Sequence, residues 1–264
     1  MTTKVFDIES YWWDSALGPA LIAARLLDTI DGLTPLNPML ANWRLVDMVD
    51  YRDVSLAEVR SEPTAFVERN VAKDHLGGPQ PGDGYDLVAT SSNIPNVYGA
   101  PQTFKLYMQV GSEFFNSARF MLGRDFDPRN ASFVTYPVYR GVLEALVSAW
   151  PCPWALAYTY TPAEPPAGPN DPGVSIPRAP FGGAWIAYLS APFAAGLSPP
   201  DEIRSEPTPG GGLILSAVTE RIDETNPDHV RRSRLLQAIM NDRVGARTSR
   251  RLGHQDAPPR AGEY

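Results

Sequence analysis

The chain is poor in the residues on which catalysis and metal binding lean. Of 264 residues, one is cysteine and three are histidine. The lone Cys152 excludes an internal disulfide framework and any zinc site built on paired cysteines. It stands in WPCPW after a segment that reads as a helix, the setting of a buried structural thiol; a nucleophile needs a partner base. No apolar run approaches the roughly 18 residues of a membrane span. The opening MTTKVFDIESYWW has one lysine and then acids. It lacks the basic start, apolar core and small-residue cleavage site of a secretory signal, so the expected location is cytoplasmic. GxSxG, HExxH and a GxGxxG after a strand are absent as well. The expectation is a protein that is not an enzyme, with no cofactor, no metal and no catalytic residue.

What is present is a globular composition with an uneven charge. Hydrophobic residues make up 43% of the chain, enough for a buried core, and the length fits one large domain or two small ones. The net charge is −7. From Arg243 to the end five arginines face Asp256 and Glu263, a net of +3, so the preceding 242 residues carry −10. An acidic body disfavours nucleic acid, which needs clustered cations, and suits a basic partner.

Several stretches imitate functional motifs and fail on inspection. PGGGLILS (209–216) has the glycines of a phosphate loop but leads into a strand without the Lys-Ser/Thr pair, so it reads as a turn. GRDFDPRN (123–130) offers Asp125, Asp127 and Asn130, yet Arg129, Asn130 and Tyr136 occupy positions where a calcium loop needs an acid or amide, a glycine and a glutamate. Asp47, Asp50 and Asp53, interleaved with Arg44 and Arg52, read as a solvated face. The aromatic runs YWW and WPCPW suit core packing better than a sugar or base pocket.

The pattern of elements predicts α+β: a twisted, largely antiparallel mixed sheet with about four helices packed on it. Residues 4–12, 43–49, 84–91, 103–111, 118–122, 131–136, 154–160, 184–190, 201–207 and 212–219 read as strands. A helix from Pro19 shows an apolar stripe of Leu17, Leu21, Ala24, Leu27 and Ile30. TAFVERNVAK (64–73) reads as a short helix. Across 137–150, Arg140, Glu144 and Ser148 form one narrow polar face, so that helix is buried on most of its circumference. The Pro- and Gly-rich 161–182 reads as a long loop. The predicted organisation is a single domain over 1–242 and a basic, flexible tail over 243–264.

TNPDHVRRSRLLQAIM (225–240) places Asn, Asp and His next to three arginines, which looks catalytic. Each residue also has a structural job. Asn226 is a strong N-cap, Pro227 fits the first helical position, and Asp228 puts a negative charge where the helix dipole favours it. Val230, Leu235, Leu236, Ile239 and Met240 supply the expected buried face.

The order of segments then carries a resemblance. An N-terminal strand ends in YW and leads to a helix; a helix ending LVSAW is followed by PW and a strand; then come AWIAYLS, a PP turn, GGGLILSAV and NPDHVRRSRLLQAI. This succession, over 137–242 and 4–43, resembles the immunity protein 52 family of bacterial polymorphic-toxin systems. In that family an Arg and a Glu commonly follow the Tyr-Trp pair, whereas YWWDSALGP has neither. The resemblance implies a type VI secretion immunity protein that binds and neutralises a cognate nuclease toxin, restriction-endonuclease-like and of the Tox-REase-5 class. The acidic body and the lack of a long apolar run lead to the expectation of no nucleic acid and no membrane partner, and a homo-oligomer is compatible with both. Expected partner contacts are loop acids: Asp83 and Asp86 after the Gly-Pro turn, and Glu220, Asp223 and Glu224 before the last helix. The rival reading is a small-molecule-binding or hydrolytic domain with an aromatic pocket of Trp12, Trp13, Trp150 and Trp154, a reading that requires those rings to line a cavity. A third assigns nucleic-acid contact to Arg243, Arg247, Arg250 and Arg251 of the tail.

Overall fold

A computed structural model describes residues 5–13, 16–91, 104–113, 115–122, 132–160 and 184–245. Among them are ten strands and six α-helices, an α+β composition. The helix count exceeds the expected number because α2 (Leu56–Ser61) and α5 (Ala191–Ala194) are too short to show a periodic stripe. The chain divides into two compact units, Asp7–Cys152 and Met1–Phe6 with Pro153–Tyr264.

The first unit contains most of β1 (Val5–Trp13), then α1 (Pro19–Leu33), β2 (Trp43–Asp47), β3 (Arg52–Ser55) and α2. There follow α3 (Pro63–Arg69), β4 (Tyr85–Ser91), β5 (Phe104–Val110), β6 (Phe115–Leu122) and α4 (Tyr136–Ala149). Its strands run in the order β3-β2-β4-β5-β6-β1, every neighbouring pair antiparallel. β5 shows why the sheet has two unlike faces. Phe104, Leu106, Met108 and Val110 are buried, while the alternate Lys105, Tyr107 and Gln109 are half-buried. The apolar face lies under α1 and α4: Phe133 packs 4.0 Å from Phe104 between ring centres, Tyr139 meets Phe120 edge-on, and Trp12 stacks on Trp150 at 5.4 Å. Helix α1 packs against both α3 and α4, and Arg60 of α2 pairs with Asp31 of α1, so the helices of this unit share one face.

Two expectations fail here for physical reasons. The buried stripe of α1 is Ile22, Ala23, Leu26, Thr29, Ile30 and Leu33; Leu21 and Ala24 point to solvent. Thr29 sits in the stripe because its hydroxyl donates to Arg25 O at 2.7 Å and accepts from Trp150 Nε1 at 2.9 Å. The predicted strand 131–136 is not one. Residues 132–133 turn, Phe133 and Val134 plug the core, and α4 begins at Tyr136 with Pro137 in its first turn. Ala131 is outside the described residues.

The second unit has β7 (Trp154–Tyr160), β8 (Ala184–Leu189), α5, β9 (Arg204–Pro207), β10 (Leu213–Ser216) and α6 (Pro227–Met240). Its strand order is β7-β8-β10-β9, again antiparallel. Helix α6 packs on β8, and Ser233 Oγ donates to Ala184 O at 2.8 Å. Its buried face is His229, Ser233, Leu236, Gln237 and Met240, rotated from the expected one, while Val230, Leu235 and Ile239 are half-buried. The packed chain runs on through a π-helical turn at Asn241–Gly245: Val244 is buried, and Arg243 donates to Ala195 O at 3.1 Å and Gly196 O at 3.3 Å. The segments 123–130, 161–182 and the tail from 246 lie outside the described residues. No helix among the described residues is long and apolar enough to cross a membrane.

Candidate interaction surface

Asp83 and Asp86 stand at the loop end of the six-stranded unit, which is organised around one buried amide. Asn70, at the end of α3, accepts from Met48 N–H at 2.7 Å and donates to Phe66 O at 2.7 Å. Its carbonyl accepts from Asp86 N–H at 2.9 Å. One side chain and one carbonyl thereby tie the β2–β3 turn, α3 and the start of β4 together. Ala72 N–H donates to Gly84 O at 2.8 Å, and Glu113 N–H to Gly82 O at 3.2 Å, which brings the β5–β6 turn to the same place. Gly84 has φ +83, and a Cβ there would lie 2.3 Å from Val110 O, so only glycine fits. Asp83 is exposed on the 3₁₀ turn Pro81–Asp83. Asp86 is not a loop acid but the second residue of β4. Burial pushes its carboxyl above the usual aspartate range, against the hydrogen bond it accepts from Tyr107 Oη at 3.1 Å. Burial, reinforced by Asp86, pushes the Tyr107 phenol up to about 12.

Two turns project from this end. In the first, Asp47 is buried, not solvated. Its Oδ1 accepts from Val49 N–H at 2.9 Å, and its Oδ2 pairs with Arg69 at 2.9 Å. Arg69 also holds Asp50 at 3.0 Å. The three aspartates therefore differ: the first builds a turn, and Tyr51 follows at φ 51, a left-handed conformation uncommon for a bulky side chain. Val49 and Tyr51 are exposed, Tyr51 at 58%. The second turn is a hairpin closed by the Lys73–Pro79 bridge. Asp74 Oδ1 accepts from Leu76 and Gly78 N–H, each at 2.8 Å, and these donors hold its carboxyl below the ordinary range. Leu76, at the tip, is 82% exposed.

Glu220, Asp223 and Glu224 belong to the other unit, where they precede α6. The histidine of TNPDHV organises that loop. His229 Nδ1 accepts from Asp223 N–H at 3.1 Å, which leaves Nε2 as the protonated nitrogen, 3.0 Å from Glu220 Oε1. Asp223 Oδ1 accepts from Thr225 N–H at 2.9 Å and its hydroxyl at 2.7 Å. Asn226 caps the helix by accepting from Asp228 N–H at 3.0 Å, and Asp228 pairs with Arg231 at 2.7 Å and Arg232 at 2.8 Å. The Arg231 hydrogen bond holds the Asp228 carboxyl below its usual range. The suspected catalytic cluster is a helix cap with a histidine clasp. Glu220 and Asp223 are exposed and Glu224 is half-buried.

Other chemistry-bearing groups are occupied by the core. Trp12, Trp150 and Trp154 are buried, with Trp12 stacked on Trp150, while Trp13 is half-buried. Cys152 is buried, and its thiol is pushed up to about 12 by that burial, which keeps it protonated and unreactive near neutrality. On the face of β1 opposite Ile8 and Trp12, Arg119 bridges two buried acids: it pairs with Asp7 at 2.5 Å and Glu9 at 2.9 Å, and Tyr11 Oη donates to Glu9 at 2.7 Å. Burial and then Glu9 push the Tyr11 phenol well above its ordinary range. Among the described residues no group of three or more His, Cys, Asp or Glu is arranged to hold a metal.

No protein-family model matches the chain, and no curated protein matches it, so the immunity-family resemblance stands on the sequence pattern alone. Among solved structures, two of the duplicated taurocyamine kinase from Schistosoma mansoni, one with bound transition state analog components and one substrate-free, are 10% and 12% identical. They cover 92% of this chain and 32% and 33% of theirs, and TM-scores of 0.28 carry no argument. The T6SS protein PA0821 of Pseudomonas aeruginosa matches over 92% of this chain and 76% of its own, at 12% identity and a TM-score of 0.52. The chain is similar in fold to that T6SS protein.

Proposed function

We propose that this chain is an immunity protein of a type VI secretion or related polymorphic-toxin system, which binds and neutralises a cognate nuclease toxin and catalyses no reaction itself. The observation that carries the reading is the fold shared with a T6SS protein along almost the whole chain. Three further features support it. The order of sequence segments resembles the immunity protein 52 family. The body is acidic, which suits a partner that must present cations to phosphates. The cluster that looked catalytic is spent on capping α6. On this reading the protein acts in the cytoplasm, and its partner is a restriction-endonuclease-like protein.

The test is co-expression of the chain with the toxin encoded beside its gene, paired with co-purification of the two products. Rescue of growth together with a stable complex is the expected result. Survival lost despite expression of the folded chain, or turnover of a metabolite by the purified chain, refutes the reading.

A further inference from the structure

We propose that the loop end of the six-stranded unit is the surface that docks a basic protein, with Tyr51 as its anchor and Leu76 as a second apolar contact. The partner's identity as the toxin rests on the function proposed above; the surface itself rests on the following observations.

The described residues strongly expose few large apolar side chains: Leu21, Val49, Tyr51 and Leu76. Three of these four stand on two neighbouring turns: Val49 and Tyr51 on the β2–β3 turn, which Asn70 holds through Met48 N–H, and Leu76 on the hairpin that begins three residues after Asn70. Scattered single exposures are normal on a protein surface; concentration at one end marks a contact site. Tyrosine is among the residues that carry binding energy, because it brings a large amphipathic surface at low conformational cost. Both apolar groups are held ready. Asp47 and Arg69 fix the turn that carries Tyr51, and the Asp74 carboxylate fixes the tip that carries Leu76. A partner binding there has little loop ordering left to do.

Charge selects the occupant. Asp74, Asp83 and Glu113 share this end, and its arginines are balanced by other acids: Arg69 by Asp47 and Asp50, Arg52 by Glu58. Only Lys73 and His75 offset the acids on the hairpin. A nucleic acid or an anionic bilayer is repelled by such a surface, and a second copy of the same chain brings the same charges against it. A protein face rich in lysine and arginine fits.

The test uses the full chain and, as probe, the purified product of the neighbouring toxin gene, inactivated in its nuclease centre. Association and dissociation rates are measured for wild type, for Tyr51→Gly with Leu76→Ser, for Leu21→Ser as a control on α1, and for Asp83→Lys with Glu113→Lys. Glycine accepts the backbone conformation of Tyr51, so the anchor variant keeps its fold, which thermal melting verifies. The anchor variant should bind at least about thirtyfold more weakly, with Leu21→Ser unchanged. The charge variant should associate more slowly, with a flatter dependence on salt. If wild type holds the toxin and the anchor variant holds it equally well, the surface is wrong and the functional reading survives. If wild type holds no toxin, the functional reading fails. Self-association of wild type that disappears in the anchor variant assigns the surface to a second copy of the chain and overturns the proposal.

Discussion

Replacing Thr29 by valine should destabilise the protein although the two side chains have nearly the same shape. Thr29 is fully buried in the stripe of α1, its hydroxyl is the acceptor for Trp150 Nε1 at 2.9 Å, and it donates onward to Arg25 O at 2.7 Å. Valine fills the same volume with a methyl group, and its helix propensity is close to that of threonine, so neither a cavity nor a change in local preference confuses the result. Arg25 O keeps its intrahelical N–H partner. Trp150 Nε1–H, in contrast, loses its acceptor in a site that water does not reach, and an unsatisfied buried donor costs about 1–3 kcal/mol. The expected loss is about 1.5 kcal/mol, or a few degrees in Tm for a chain of this size. Urea unfolding followed by tryptophan emission measures it. The same substitution in a Trp150→Phe background should cost much less, because the donor is already gone, and the difference between the two backgrounds isolates the bond. Equal effects in both backgrounds, or a Thr29→Val protein as stable as wild type, would show that the hydroxyl is not what allows a polar residue in that stripe.

Asn226→Ala should cost about 1 kcal/mol in urea unfolding through loss of the cap on α6. Arg119→Met leaves Asp7 and Glu9 buried without their shared cation and should cost about 3 kcal/mol, read as a lowered unfolding midpoint. Asp86→Asn carries a pH signature. Burial raises the folded carboxyl above its unfolded value, so the folded state holds the proton longer and stability falls as pH rises through the aspartate range. The amide cannot ionise yet still accepts from Tyr107, so the variant should gain on wild type between acid and neutral pH; a constant difference across that range would contradict the assignment.

The sequence made the strands legible where alternation was strict, as in β5, and the helix start where Asn226, Pro227 and Asp228 each had a local reason to be there. It misled where a polar residue was satisfied internally. Thr29 in α1 and Ser233 in α6 are buried on partners distant in sequence, Trp150 and Ala184, and His229 is buried on the loop residues Glu220 and Asp223, so an apolar count rotates both helices to the wrong face. Phe133 and Val134 imitate a strand because burial, not pairing, selects them. The acids were chosen on charge alone, which cannot tell the turn-building Asp47 from the exposed Asp83. Tyr51 and Leu76 had no signal at all, since exposure arises only from turns built through Asn70 and Asp74.

The pairing of β1 with β6 has a consequence for synthesis. Asp7 lies opposite Met121 and Trp13 opposite Phe115, so more than a hundred residues must leave the ribosome before β1 meets β6 within its unit. Closing so long a loop defers the reward of pairing to late in translation, while Ile8 and Trp12 wait without their core. Trp12 waits longer still, because the ring it stacks on, Trp150, lies beyond β6.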